Sequence, residues 1–207
     1  MPLTEKIPLG DGLIGIFKIP ETVAELEKQY LLLFGRMPSV TDFRHDRRKK
    51  EWLAIRILIA EMIGTSFSVL HKDTGAPLII HSEYKYISIS HSVKYAAVYL
   101  HKSEQVGLDV ENMNRRFVPV EKKYLSGQES EQVKSHPVLR AVYWCCKEAV
   151  FKWAGQENVD FREQIRICDF DPDQTNTVHA AFFYNSERQT VKLIFQLFDG
   201  HVLVYTR

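Results

Sequence analysis

Apolar positions along the chain recur in two rhythms, one of about every second residue and one of about every third or fourth. Residues 12–19, GLIGIFKI, are rich in β-formers and predict a first strand. ETVAELEKQYLLLFG follows Pro20 and stops at Gly35, the signals of a helix start and stop. In DRRKKEWLAIRILIAEMIG, Trp52, Ile55, Ile59 and Met62 recur at helical spacing, and Gly64 suits the position after the last turn. TGAP, Thr74 to Pro77, predicts a turn. In 86–101, Ile87 and Ile89 alternate with Ser88 and Ser90, and Ala96 to Leu100 is a buried-type run, so two strands are expected there. VGLDVE, 106–111, reads as the next strand, 118–135 as short helices around SGQE, and 136–155 as a strong helix closed by Gly155. Three strands follow at 177–184, 190–198 and 201–207, with turns at Ser186–Arg188 and Asp199–Gly200. Helices packed on mainly antiparallel strands give an α+β class. Neither an internal repeat nor a linker stands out.

Composition narrows this picture. At 207 residues the chain suits one large domain or two small ones fused, and 45% hydrophobic with 26% charged residues is ordinary for a soluble globular protein. The 27 basic and 26 acidic residues nearly cancel, so no whole-molecule field points to nucleic acid or a membrane. Locally, Arg44, Arg47, Arg48, Lys49 and Lys50 crowd into seven residues, either a solvated helix start or a phosphate-binding patch. Cys145, Cys146 and Cys168 make no metal or redox spacing and suit a reducing compartment. MPLTEKIPLGDG lacks the basic-then-apolar pattern of a signal peptide, and Arg56 and Glu61 interrupt the most apolar helix. The expectation is a soluble, cytoplasmic protein.

The chemistry begins with two acids. Asp109 and Glu111 point to the same face of one strand and repel each other. They are either the wet face of an edge strand or oxygen ligands for a hard divalent cation such as magnesium. Glu148 is a third carboxylate, on one helical face with Trp144 and Lys152; Glu148 and Lys152 also suit an ordinary ion pair. Flanking Trp144, Phe151 and Trp153 argue that these polar groups are partly buried. Ser90 and His91, in SISHS, are either local caps or donors to a phosphate.

Together the stretches SISHS, VGLDVE and WCCKEAVFKWAG resemble the three signature motifs of the 4′-phosphopantetheinyl transferases. RRKKEWLAIR is similar to a further stretch of these enzymes, so the resemblance spans about residues 45–155. The length resembles the long, surfactin-synthetase type, in which two similar α+β halves are fused, here 1–102 and 103–207. The resemblance implies transfer of the 4′-phosphopantetheine arm of coenzyme A, the co-substrate, to a serine of an apo-acyl or peptidyl carrier protein, with a monomer as the active form. It implies metal ligands at Asp109, Glu111 and Glu148, for magnesium with manganese as the alternative. It also implies a pyrophosphate-contacting Lys152 and phosphate contacts from Ser90 and His91. A serine hydroxyl needs a general base, for which Glu148, directly or through metal-bound water, is the candidate. Arg47 and Arg48 fall where such enzymes hold the 3′-phosphate. Gly75 and Pro77 match a nucleotide-pocket Gly-Lys-Pro whose lysine is Ala76 here, with Lys72 and Lys94 as nearby cations. Arg115, Arg116, Lys122 and Lys123, among Phe117 and Tyr124, lie in Met113 to Gly127, which is either the carrier-docking stretch that the resemblance implies or a solvated amphipathic helix. Two other readings of the same acids are a non-catalytic binder of coenzyme A or carrier, and a magnesium-dependent phosphohydrolase.

Overall fold

The computed structural model describes residues 5–19, 22–38 and 45–207. The expected helix start at Pro20 and the basic residue Arg44 lie outside the described residues. The chain divides into two compact units, 1–104 and 105–207, each with its own apolar core.

In the first unit, β1 (Glu5–Leu9) and β2 (Gly12–Lys18) form a hairpin. The helices α1 (Val23–Phe34) and α2 (Asp46–Ile63) follow, then a small hairpin of β3 (Ser68–His71) and β4 (Pro77–Ile80), then β5 (Tyr86–His91) and β6 (Tyr95–His101). The antiparallel sheet has the order β1-β2-β6-β5. Thr22 and Glu25 close a reciprocal capping box at the start of α1, and Gly35 ends it in the left-handed conformation. Leu53, Ile57 and Leu58 of α2 bury against Leu26 of α1 and against Phe17, Val98 and Leu100 of the sheet. β1 is not legible in the sequence because Pro8 interrupts it; at the sheet edge that missing donor is tolerated.

The second unit opens with β7 (Leu108–Asn112). A 3₁₀ turn (Val118–Val120), α3 (Glu121–Tyr124), α4 (Gly127–Ser135) and α5 (Leu139–Ala154) follow. β8 (Ile165–Ile167), β9 (Thr177–Tyr184), β10 (Glu187–Phe198) and β11 (His201–Thr206) complete an antiparallel sheet of order β7-β11-β10-β9-β8. Val142, Cys146, Ala149 and Val150 of α5 bury against Val178, Leu193, Val202 and Val204 of the strands. The turn expected at Ser186–Arg188 is instead Asn185–Ser186, both at positive φ, so Glu187 and Arg188 already belong to β10. A two-residue loop of that kind matches the strand twist, and Asp199–Gly200 repeats it. Among the described residues no helix is long and apolar enough to cross a membrane.

Candidate active site

The position of the acids is set by the glycine before them. A side chain at Gly107 would bring its first carbon 1.8 Å from the Ala149 carbonyl oxygen and 2.9 Å from the Trp153 nitrogen. Only glycine lets α5 lie this close to the start of β7. β7 is an edge strand, paired on one side with β11, with Asp109 opposite Val204 and Glu111 opposite Val202. It is not the wet edge that one sequence reading allowed: α5 packs against it, and Asp109 is only 4% exposed.

α5 brings its polar face to this strand. Lys152 Nζ donates to Asp109 Oδ1 at 2.8 Å and to the Leu108 carbonyl oxygen at 3.0 Å. Glu148 lies one turn earlier. Its burial, and then the like charge of Asp109, push its carboxyl up to about 7, against the opposing pull of Lys152 and Arg115. Glu111 is bonded to Arg115, four residues on. The guanidinium of Arg115 also lies 4.8 Å from the ring centre of Trp144. Each acid of β7 is therefore met by a cation of the protein itself. The oxygens of Asp109, Glu111 and Glu148 do not all lie within 4.8 Å of one another. Among the described residues that closeness is met by the exposed group His136, Asp171 and Asp173.

Residues 105–206 match the 4′-phosphopantetheinyl transferase superfamily. The match covers the whole of the β7–α5 arrangement, and it supports a transferase of phosphopantetheine. Transferases of this superfamily use coenzyme A, are generally metal-dependent and act on carrier proteins. No curated protein matches the chain.

Apart from Lys152, the phosphate-contact candidates are in the first unit. Ser90 ends the buried part of β5, and His91 follows it at the surface. His91 Nδ1 lies 3.5 Å from Glu51 Oε1, which also accepts from Arg47 Nε at 2.9 Å. Glu51 thus gathers Arg47 and His91 on the first turns of α2; Arg48 is exposed beside them. Gly75, at φ 82°, turns the chain between β3 and β4, with its N–H donating to the Lys72 carbonyl; Pro77 opens β4. Lys72 and Lys94 are exposed.

Sequence reasoning gave no role to Lys147 of WCCKEAVFKWAG or to Glu129. Lys147 is fully buried, and its ammonium donates to Glu129 Oε2 at 2.8 Å and to the Tyr124 and Phe161 carbonyls at 2.6 and 3.0 Å. Glu129 closes the capping box with Ser126 and accepts from the Ile167 amide at 2.9 Å through its other oxygen. This pair joins α4, α5 and β8 from inside the unit, so the first lysine of that stretch is structural. The Ser126-x-x-Glu129 pattern signals the cap; nothing local signals the burial.

Proposed function

We propose that this chain transfers the 4′-phosphopantetheine arm of coenzyme A to a serine hydroxyl of an apo-acyl or peptidyl carrier protein, releasing adenosine 3′,5′-bisphosphate. The observation that carries this reading is the convergence of Asp109, Glu148 and Lys152 across β7 and α5.

The donors fit a hard divalent cation, magnesium with manganese as the alternative. They are carboxylates only, and burial, with the like charge of Asp109 second, raises Glu148. Asp109 and Glu148, with Glu111 from the same strand face, would hold the ion. When bound, it supplies positive charge to the pyrophosphate of coenzyme A. Lys152, pinned by the Leu108 carbonyl and Asp109, offers a second cation at a fixed place, where charge gathers on the leaving phosphate. The serine oxygen attacks the β-phosphorus, and the bond to the bridging oxygen breaks towards the adenosine bisphosphate. We assign the serine proton to Glu148, a partly buried carboxylate beside Asp109 and Lys152.

In the first unit, Arg47, Arg48, Ser90 and His91 are the residues we assign to the phosphates of coenzyme A, and Gly75 and Pro77 those we assign to its nucleotide. Two compact α+β units in one chain support the long, fused type acting as a monomer. The acidic carrier would meet the segment after β7. A hollow of about 440 Å³ there is lined by Met113, Arg116, Phe117, Val118 and Arg140 among others, a mix of cations and apolar surface.

The test is incubation with coenzyme A, magnesium and an apo-carrier, read by intact-mass spectrometry. A carrier heavier by one phosphopantetheine unit is the expected result. Unchanged carrier with intact coenzyme A would make the protein a binder, and cleaved coenzyme A with unchanged carrier a hydrolase.

A further inference from the structure

Glu111 pairs directly with a group outside β7 and α5, the guanidinium of Arg115. After β7 the chain reverses, with the Asn114 amide donating to Asn112 Oδ1 at 2.8 Å and the Arg115 amide to the Asn112 carbonyl at 3.0 Å. That turn carries the Arg115 side chain back along the strand to Glu111. Its flat guanidinium lies over Trp144 at 4.8 Å and over Phe117 at 5.4 Å, and both rings favour a cation. Arg115 is held, then, by three neighbours, while its side chain stays 40% exposed.

Arg115 holds Glu111 through Oε1, and a guanidinium and a divalent cation compete for the charge of one carboxylate. We infer that Arg115 is the built-in counter-cation of the acidic cluster, and that metal loading displaces it from Glu111. This rests on the metal reading proposed above and adds a competition to it. Without metal the pair on Glu111 offsets the repulsion among the acids; with metal Glu111 would turn to the ion. Arg115 then swings out beside Phe117 and Val118, on the wall of the basic hollow that it already lines. Metal occupancy would thus add one cation to the surface facing an anionic partner. Arg116 lines the same hollow and carries the same charge, so it serves as the control for a general field effect.

The experiment is magnesium and manganese titration of the full chain by calorimetry, with the Arg115 Nε–H resonance followed by NMR during the magnesium titration. Loss of a competing, partly exposed ion pair predicts that Arg115→Gln binds metal about five-fold tighter. Arg116→Gln should change affinity less than about two-fold. In a Glu111→Gln background, where no pair exists, Arg115→Gln should have no further effect. In the unmutated protein the Arg115 Nε–H signal should move with metal occupancy, a readout that stands even if a variant fails to fold. Equal tightening in Arg115→Gln and Arg116→Gln, or an Arg115 signal indifferent to bound metal, would overturn the competition and leave the metal site intact. Failure of the unmutated protein and of Arg115→Gln alike to bind either ion would instead overturn the metal reading itself.

Discussion

Glu148 sits in the fold with a proton affinity far above that of an ordinary carboxyl, and this has a measurable consequence. Unfolded, it titrates near 4.5; folded, near 7. Between those values the folded state binds the extra proton, so unfolding releases it and stability falls as pH rises from about 4.5 to about 7, then levels. In the presence of a chelator, thermal unfolding across that range should show a loss on the order of 2–3 kcal/mol, and Glu148→Gln should flatten it. Asp109 bears on a second prediction. Taken from sequence, its removal only relieves repulsion from Glu111. In the fold it is buried and holds Lys152, so removing its charge also leaves that ammonium short of a partner. Asp109→Asn should therefore cost about 1–3 kcal/mol in urea unfolding and lower transfer at least about 100-fold. Wild-type turnover in this variant would refute the site.

Between elements, one glycine and one buried ion pair set how α5 lies on the sheet. A methyl at Gly107 meets backbone atoms of α5, which cannot rotate away as a side chain would. Gly107→Ala should push α5 from β7, cost about 1–3 kcal/mol or more, and reduce turnover beyond what its stability loss explains at temperatures where it stays folded. The Lys147–Glu129 pair predicts a different pattern. Glu129→Gln leaves a buried ammonium without its counter-charge and should destabilise by about 3–5 kcal/mol, seen as a lower denaturant midpoint. Protein that remains folded should keep near-normal turnover, because Lys147 points into the core rather than to the acids.

At the scale of the molecule, two separate apolar cores predict that residues 105–207 fold when expressed alone. The expected fragment unfolds cooperatively and binds magnesium, but does not modify carrier, since it lacks Arg47, Ser90 and His91, which we propose hold coenzyme A. Transfer by the fragment would show that the first unit has no part in catalysis. Much of this organisation is legible along the chain: α2 and α5 repeat apolar residues at helical spacing and stop at glycines, and β9, β10 and β11 alternate between recognisable turns. Short or interrupted strands are not, since the four residues of β3 and the three of β8 are too few to establish a period. The candidate acids were also legible, because same-face carboxylates need only local spacing. Which cation meets each acid was not. By itself, then, the sequence determined the α+β class, the residues rich in chemistry and the faces they share, all consequences of local periodicity. Only the tertiary structure decided that Lys147 serves the core while Lys152 serves the acids, and that Arg115 rather than solvent faces Glu111. The Lys147 and Lys152 pairings join residues distant in the chain, and even the nearby Glu111–Arg115 pair needs the turn after β7, so no local pattern carries that information.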